Sequence, residues 1–398
     1  MADNCKLSSK AINMPSIKSC QSISDLRLAA KRRAHRMVFD YIDGGSDDEV
    51  TLSRNTTAFG RYSLMHKSLV GVETIDTKTT LLGQELDLPF FLSAAAGHRL
   101  FHTVGERAAA TVAKEFGTAF CLSTLSSVSI EDIAAINPDP RWFQLYVWKD
   151  RGLVKAMIDR AKAAGYSALI LTVDFPITGN RERDFKNGFT IPPKTGVKQA
   201  IEALRHPAWT LDYLKGPAIQ YANLDKKTSA VSLSQFVGEQ LHAGFNWKDA
   251  EWMLGEWNGP SAIKGVIHPE DAVQAAKSGF DAVFISNHGG RQLDTDAAPI
   301  DVLPMIADKV GGDVELVLDG GIRRGTDMIK ALALGANAVS FARPYLYGLA
   351  AGGTPGVRRA IEIMSDALKR DMALTGVTSI KDITASLILE NWPQNTLP

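Results

Sequence analysis

The fold is decided by the stretch that reads Ala282-Val283-Phe284-Ile285-Ser286-Asn287-His288-Gly289-Gly290-Arg291 in this chain of 398 residues. Residues 282–285 are a short apolar run of the kind that forms a buried strand. The two glycines that follow let the backbone turn tightly. A histidine and an arginine three residues apart are therefore predicted to lie just past the C-terminal end of a strand.

Seven further apolar runs of this kind occur between residues 89 and 342, and helix candidates separate most of them. Strands are predicted at 89–93, 119–123, 142–147, 168–173, 262–266, 282–286, 314–319 and 338–342, and helices at 105–116, 153–164, 270–278 and 326–334. Eight βα units are the number that closes a (β/α)8 barrel. Continuous apolar strands also indicate a parallel sheet that is covered on both faces. The predicted fold class is therefore α/β, a (β/α)8 TIM barrel.

Two segments fall outside this repeat. Residues 1–88 are predicted to be a helical lead-in packed on the barrel of residues 89–398, with one helix around 26–41 that ends at Gly44-Gly45. Residues 187–246 form a long insertion after the fourth strand, and its prolines exclude one long helix. It has an excess of basic residues with interspersed apolar ones. A lid, an oligomer contact and a peripheral membrane patch are all open for it.

The composition excludes several classes of protein. Forty-four basic residues balance 44 acidic ones, so no overall charge favours nucleic acid. No apolar run has the length of a membrane span, and the polar N-terminus does not resemble a secretory signal. The three cysteines are too scattered for a disulfide framework or a metal site. We therefore expect a cytoplasmic protein without a metal, either free or peripheral on the cytoplasmic face of a membrane.

Polar residues cluster at the C-terminal ends of the predicted strands. In a (β/α)8 barrel these ends share one face, and active sites form there. The residues are Ser123, Gln144, Tyr146, Thr172, Asp174, Lys264, Ser286, His288, Asp319 and Arg343. We therefore expect the active site on this face.

The segment 318–327 follows the seventh strand and combines glycines with Arg323 and Arg324. Loops after strands seven and eight of such barrels often bind phosphate, so a phosphorylated cofactor is predicted. Lys264 lies inside the fifth apolar run, where its charge needs a partner. Next to a redox cofactor it could stabilise negative charge on the reduced form. A lysine at the strand rim and a Schiff-base lysine of an aldolase-type lyase are the alternatives.

His288 is the candidate general base, and Asp174 could accept a hydrogen bond from one of its ring nitrogens and fix the tautomer. Arg181 and Arg291 could bind a substrate carboxylate with two hydrogen bonds each. Oxidation of a 2-hydroxy acid needs this combination of a base and carboxylate-binding cations. The hydroxyls of Tyr41 and Tyr146 could also reach the substrate.

From about residue 25 to residue 382 the chain resembles the FMN-dependent 2-hydroxy-acid dehydrogenases and oxidases, which include L-lactate dehydrogenase, mandelate dehydrogenase and glycolate oxidase. The resemblance is carried by residues 39–41, 143–146, 171–174, 181–182, 263–265, 286–294 and 318–327, and it continues through 330–336. It implies FMN as the cofactor and a homo-oligomer, often a homotetramer. It also implies His288 as the base, Asp174 as its partner, and Tyr41, Tyr146, Arg181 and Arg291 as substrate ligands.

The resemblance further implies the residues that bind the flavin. The flavin ring would be contacted by Ser123, Gln144, Thr172 and Lys264. Ser286 would contact the ring or the ribityl chain, and Asp319 would bind the ribityl hydroxyls. The phosphate would be bound by the loop residues Gly320, Gly321 and Arg323 and by Arg343. Ala94-Ala95-Ala96 stands where many members have Pro-Thr-Gly or Pro-Thr-Ala, so only backbone contacts are expected there. Ala342 replaces a common glycine before the phosphate-binding arginine, and its N–H is still expected to serve.

The insertion 187–246 is similar to that of the membrane-associated members of the family. It implies an (S)-2-hydroxy acid as substrate and a quinone or another carrier as electron acceptor. A soluble oxidase that makes hydrogen peroxide is the alternative, and an inactive flavin-binding scaffold is a further one. The substrate side chain is expected to contact Ala96, Leu125 and Thr178.

Overall fold

The computed structural model describes residues 16–137, 140–190, 196–224 and 238–390. The lead-in starts with two helices, α1 (Ile23–Arg33) and α2 (Arg36–Asp43), so the prediction of one helix over 26–41 is wrong. Ala34 has an extended backbone, and Nδ1 of His35 accepts a hydrogen bond from the N–H of Met37, which starts the second helix. Helix α2 ends at Gly44, as predicted.

The lead-in is not only helical. Helix α3 (Val50–Thr57) is followed by strand β1 (Tyr62–Leu64) and by a hairpin of β2 (Thr79–Leu81) and β3 (Gln84–Leu86). The leucines of the hairpin pack in one cluster with apolar residues from the N-terminal halves of the barrel strands. The hairpin therefore closes the barrel at the end opposite the predicted site.

Eight parallel strands form a closed barrel, and all eight predicted strands are confirmed. They are β4 (Phe90–Leu92), β5 (Phe120–Ser123), β6 (Arg141–Tyr146), β7 (Ala168–Thr172), β8 (Ser261–Val266), β9 (Ala282–Ile285), β10 (Glu315–Asp319) and β11 (Ala338–Phe341). Strand β11 pairs with β4 and closes the ring. The (β/α)8 prediction is therefore correct.

The inward-facing side chains of the barrel change character along the strands. Near the strand starts they are apolar, and Phe91, Trp142 and Phe284 pack together in the interior. Near the strand ends they are polar and buried: Ser93, Ser123, Gln144, Thr172, Lys264, Asp319 and Ser340. This buried polar layer forms the floor of the candidate site.

The helices around the barrel and in the insertion are α4 (Glu106–Glu115), α5 (Ile130–Ile136), α6 (Arg151–Ala163), α7 (Glu182–Asn187), α8 (Val197–Arg205), α9 (Pro207–Lys215), α10 (Trp247–Trp257), α11 (Pro269–Lys277), α12 (Pro299–Val310), α13 (Gly325–Ala333) and α14 (Arg343–Thr375). The four helices that the sequence predicted in the barrel, which are α4, α6, α11 and α13, are confirmed to within two residues. Helix α14 is interrupted at Gly352 and Gly353, which have non-helical backbone angles. A last strand, β12 (Ile388–Glu390), pairs antiparallel with β1 of the lead-in.

The described part of the insertion is made of short helices, in agreement with its prolines. Trp209 of α9 is buried, and its indole N–H donates to the carbonyl of Leu100 at 2.8 Å. Asp212 accepts hydrogen bonds from the N–H and hydroxyl of Thr103 at 2.9 and 2.7 Å. The insertion is therefore docked on the barrel by one face of α9. Its residues 191–195 and 225–237, which include Pro192, Pro193 and several of its lysines, lie outside the described residues.

None of the helices that the structure describes is both long enough and apolar enough to cross a membrane.

Candidate active site

His288 and Asp174 form a hydrogen-bonded pair at the C-terminal face of the barrel. Nδ1 of His288 lies 2.7 Å from Oδ1 of Asp174. His288 itself has a left-handed backbone (φ 56°), as do Gly289 and Gly290, and this tight turn brings the ring back over the barrel. Burial, and after it the charges of Lys264 and Arg181, lower the pKa of His288 despite the opposing effect of Asp174. A neutral imidazole that donates Nδ1–H to Asp174 has its second ring nitrogen, Nε2, available as a base.

Two residues without a predicted role hold this pair. The ring of Phe175 stacks on that of His288 at 5.6 Å. The side-chain amide of Gln292 donates to the carbonyls of Asp174 and Ile177, at 2.9 and 2.8 Å, and its oxygen accepts from Nη2 of Arg181 at 3.4 Å. Phe175 directly follows Asp174 and Gln292 directly follows Arg291 in the chain. This adjacency to predicted site residues is the only feature of the sequence that could have identified them as part of the site.

Four arginine side chains line the cavity and form a row of positive charge: Arg181, Arg291, Arg343 and Arg323. None of them forms a salt bridge with a carboxylate of the described residues. Arg291 and Arg343 are neighbours, because both donate to the carbonyl oxygen of Gly44, at 3.0 and 2.9 Å. Burial, and then the charge of the neighbouring arginines, lower the pKa of Arg181 and of Arg343 to about 10. Such a row favours the binding of anionic groups.

Arg291 is partly committed to the protein itself. Its Nη1 donates to the carbonyls of Tyr41 and Gly44, and its guanidinium carbon lies 4.8 Å from the centre of the Tyr41 ring. Among the described residues, its Nε and Nη2 are left for a ligand. Arg291 can therefore bind a carboxylate with two hydrogen bonds, as predicted, only through the Nε and Nη2 side of its guanidinium.

Lys264 is buried and forms an ion pair in the barrel. Its Nζ lies 2.6 Å from Oδ2 of Asp319 and donates to the hydroxyl of Ser286 at 2.7 Å. Asp319 also accepts from the hydroxyls of Ser286 and Ser340. Burial alone would lower the pKa of Lys264, but the charge of Asp319, the charge of Asp174 and the hydrogen bond to Asp319 together outweigh it, and the pKa is raised. A lysine that stays protonated is a poor Schiff-base nucleophile, which argues against the aldolase alternative.

Most of the predicted site residues meet in one cavity. The predicted residues that line it are Tyr41, Ala94, Ala95, Ala96, Gln144, Tyr146, Thr172, Arg181, Lys264, His288, Arg291, Asp319, Gly320, Gly321, Arg323, Ala342 and Arg343. Asp174, Ser123 and Ser286 lie one layer behind it, where they hydrogen-bond to His288, Gln144 and Lys264. Of the positions expected to contact the substrate side chain, Ala96 and Leu125 line the cavity. Thr178 does not line it and is exposed, because the chain has already left the barrel face there.

The insertion brings two further aromatic residues to the site. Phe189 stacks on Tyr41, with ring centres 4.4 Å apart and planes within 9°. Tyr221 is buried, and burial together with the nearby hydroxyls of Tyr41 and Tyr146 raises its pKa. The sequence did not identify either residue as part of the site, because nothing in the local pattern shows that the insertion folds back over it.

Two adjacent glycines of the predicted phosphate loop differ in what surrounds them. Both have positive φ angles, 104° at Gly320 and 80° at Gly321. A Cβ at Gly320 would meet no atom within 4 Å, because the residue opens into the cavity, whereas a Cβ at Gly321 would lie 2.1 Å from the carbonyl oxygen of Asn55 and 2.8 Å from the Phe59 ring. The lead-in therefore packs directly against the loop at Gly321.

This difference predicts that an alanine at Gly320 mainly weakens cofactor binding, whereas an alanine at Gly321 mainly lowers stability. Gly320→Ala should fold, with a backbone strain of about 1–2 kcal/mol, and should bind the cofactor more weakly because its methyl group occupies cavity space. Gly321→Ala should lose roughly a further 1–3 kcal/mol of stability, because the backbone of Asn55 has to move. Urea unfolding of the apoproteins and titration with FMN measure the two effects. Equal stability of the two variants would contradict the close packing at Gly321.

The fold and the cavity together define a (β/α)8 protein with a histidine–aspartate pair, a buried lysine and a row of arginines that suits anionic ligands. Comparison with known proteins agrees with this class. The sequence profile described as FMN-dependent dehydrogenase matches residues 30–390. The chain therefore belongs to the family of FMN-dependent 2-hydroxy-acid dehydrogenases and oxidases, as the sequence predicted, and is an oxidoreductase whose cofactor is FMN.

Individual relatives cover nearly the whole chain. An L-lactate oxidase of Nostoc sp. is 42% identical over 94% of this chain and 100% of its own length. An L-lactate dehydrogenase of Actinobacillus pleuropneumoniae is 40% identical, over 93% of this chain and 98% of its own. The crystal structure of a monotopic membrane protein, (S)-mandelate dehydrogenase, superposes with a TM-score of 0.90 at 34% identity, and covers 94% of this chain and 100% of that one.

The residues of the cavity fit FMN. Nε2 of Gln144 and Oγ1 of Thr172 are buried and have no hydrogen-bond partner among the described residues, and both side chains line the cavity. Buried polar atoms of this kind need a partner, which the polar edge of a flavin ring provides. The Gly320-Gly321 loop and the adjacent Arg323 and Arg343 supply donors for a phosphate group.

Proposed function

We propose that this protein oxidises an (S)-2-hydroxy acid of the L-lactate or (S)-mandelate type to the 2-oxo acid and passes the electrons to a quinone or another carrier. The arrangement that carries the proposal is the neutral His288, oriented by Asp174 at 2.7 Å, in the same cavity as the cations of Arg181 and Arg291. A base and a carboxylate-binding cation side by side suit a substrate that carries a hydroxyl next to a carboxylate. The names of the relatives, which include L-lactate and (S)-mandelate enzymes, support this substrate class.

Each residue has a distinct part in the proposed reaction. Arg181, with the free side of Arg291, binds the substrate carboxylate and orients the carbon that bears the hydroxyl. His288 Nε2 accepts a proton from the substrate, and Asp174 stabilises the imidazolium that results. Tyr41 and Tyr146 line the same cavity and donate hydroxyl hydrogen bonds to the substrate. FMN, when bound, supplies the acceptor for the two electrons, and the protonated Lys264 stabilises the negative charge that this brings.

The flavin absorbance tests the proposal directly. Under anaerobic conditions, L-lactate or (S)-mandelate should bleach the visible spectrum of the FMN-loaded protein, and the (R)-enantiomers should not. A spectrum that no 2-hydroxy acid bleaches would reject the proposed reaction. The same sample separates lactate from mandelate by the rate of bleaching.

An oxidase that passes electrons to oxygen is the second candidate, because the Nostoc relative is named an L-lactate oxidase at 42% identity. Admitting air to the reduced protein distinguishes the two. A dehydrogenase should regain its colour slowly in air and quickly with a short-chain quinone. An oxidase should regain it quickly in air and release hydrogen peroxide.

We further propose that the insertion 187–246 contacts a membrane surface. Helix α8 exposes Val197, Ile201 and Leu204 on one face, at the spacing of one side of a helix, and Val197 and Leu204 are 80% and 82% exposed. Leu211 and Leu214 of α9 are exposed as well. Exposed apolar side chains on one face of a helix are typical of an interaction site. The structurally similar (S)-mandelate dehydrogenase is a monotopic membrane protein, which supports a lipid partner.

Replacing Val197, Ile201 and Leu204 together by serine should lower binding to phosphatidylcholine/phosphatidylglycerol vesicles by about tenfold or more, since burying each such side chain stabilises the bound state by roughly 1.5–3 kcal/mol when complete. Co-sedimentation with vesicles measures this. Leu374→Ser is the matched control, because Leu374 is 67% exposed on α14, outside the insertion. Unchanged sedimentation of the triple variant, with a smaller mass in solution, would instead identify the surface as a subunit contact of a homo-oligomer.

A further inference from the structure

A second cavity lies directly against the candidate active site. It has a volume of about 360 Å³ and is lined by the ends of β7 and β8, the last part of the insertion and the start of α10. Thr172 and Phe175 line both cavities. The wall between the two is therefore one residue thick at this point. None of the roles proposed above for the first cavity uses the second one.

The lining of the second cavity suits a flat apolar molecule. The rings of Phe175, Phe245 and Trp247 contribute aromatic surface. Aliphatic side chains supply most of the remaining wall, among them Val147, Pro176, Ala243, Ala250, Ile263 and Val266. A cavity of this size with an apolar lining and few polar groups is typical of a small-molecule site.

The charges of the two cavities differ sharply. Four arginines and a lysine line the first cavity, whereas the only ionisable groups among the described residues of the second are His242 and Asp271. Asp271 is exposed, at the start of α11. The described lining of the second cavity therefore has no arginine or lysine to hold a carboxylate or a phosphate, and its ligand is expected to be neutral. His242 and Asn246 offer hydrogen-bond donors to a carbonyl oxygen of such a ligand.

We propose that the second cavity binds the electron acceptor as a neutral quinone, while the 2-hydroxy acid occupies the first. The inference rests on the proposed function, and its new content is a separate acceptor site behind Thr172 and Phe175. The overall reaction balances, because oxidation of the hydroxy acid to the oxo acid releases two electrons and two protons, and reduction of a quinone to the quinol takes up two of each. FMN bound in the first cavity would pass its electrons across the wall formed by Thr172 and Phe175, and the substrate cavity would stay free for the acid.

Filling the second cavity tests the proposal. Ala243→Phe adds a ring at a position that lines it and is exposed, so folding should not suffer, and Ala250→Phe adds one from α10. Ala385→Phe is the matched control, because Ala385 is exposed and lines neither cavity. In the FMN-loaded protein without any hydroxy acid, quenching of tryptophan fluorescence by decylubiquinone gives the Kd of the quinone. Both cavity variants should raise this Kd by about tenfold or more, and the control should not.

A second measurement separates the cavity from the chemistry. Anaerobic bleaching of the flavin by the 2-hydroxy acid should proceed at the wild-type rate in Ala243→Phe, while the KM for decylubiquinone rises. An unchanged quinone Kd in Ala243→Phe would overturn the proposal, and so would competition between the 2-oxo acid product and the quinone. If no hydroxy acid bleaches the flavin, the proposed function fails, but the quinone Kd still decides whether the second cavity binds quinones.

Discussion

Replacing His288 by asparagine should leave FMN bound and slow the anaerobic bleaching of the flavin by the 2-hydroxy acid by about 10²- to 10⁴-fold, the usual contribution of a general base. Asparagine suits the position because it tolerates the left-handed backbone found there, φ 56°. It can still hydrogen-bond to Asp174, but it cannot accept the proton. Stopped-flow absorbance gives the rate, and an FMN titration shows that the cofactor site is intact.

The matched control is His268→Asn. His268 caps helix α11 by accepting a hydrogen bond from the N–H of Glu270, a contact that asparagine reproduces. This variant should bleach at the wild-type rate. A His288→Asn variant that bleaches as fast as the control would reject His288 as the base.

The same rate should depend on pH in a definite direction. His288 acts as a base only when it is neutral, so the bleaching rate should fall as the pH drops through its pKa. Because burial lowers that pKa, the midpoint should lie on the acidic side of the usual histidine value of about 6.5. Asp174→Asn removes the charge that opposes this shift, and the midpoint should then move to still lower pH, together with a slower rate. A midpoint above the usual value would contradict the partial desolvation of the ring.

Replacing Lys264 by methionine should destabilise the apoprotein by about 3–5 kcal/mol, the usual effect of removing one partner of a buried ion pair. The carboxylate of Asp319 would be left in the barrel with only the hydroxyls of Ser286 and Ser340 as partners. The lowered pKa of Asp319, which its lysine partner maintains against burial, should rise in the variant. Urea unfolding at neutral pH measures the loss.

A second substitution distinguishes the lost ion pair from a simple packing defect. Lys264→Met combined with Asp319→Asn removes both charges and should recover part of the stability, so the two effects should not add. Lys155→Met is the matched control, because Lys155 forms an exposed ion pair with Glu256 at 2.7 Å and should change stability little. Strict additivity of the Lys264 and Asp319 variants would contradict a coupled pair.

Sequence patterns were sufficient to predict the barrel because each strand is a short apolar run with its own turn. The position of the site could be predicted from the same pattern, because polar residues that follow the apolar runs all lie on the C-terminal face of the barrel. His288 and Asp174 are 114 positions apart, yet the strand pattern places both on one face of the barrel and the family resemblance implies that they pair; the structure places them 2.7 Å apart. Their roles remain predictions until the variants above are measured.

The missed features are those that depend on packing between distant segments. The break at Ala34 depends on which ring nitrogen His35 offers to the backbone, and a helical pattern does not show this. Ser340 belongs to the buried polar layer, where its hydroxyl donates to Asp319. It was missed because it lies inside an apolar run, one position before Phe341, and not after the end of the run. Phe189 and Tyr221 reach the site only because the insertion folds back over it.

The carbonyl groups at the C-terminal end of α2 also bear on the order in which the enzyme is assembled. The carbonyls of Tyr41, Ile42 and Gly44 accept hydrogen bonds from Arg291 and Arg343, which lie roughly 250 to 300 positions later in the chain. During synthesis the early segment is made first and must wait for the last strands before these bonds exist. The pocket for the flavin is thus among the last features to be completed. We therefore expect FMN to bind, and the protein to become yellow, only after nearly the whole chain has been synthesised.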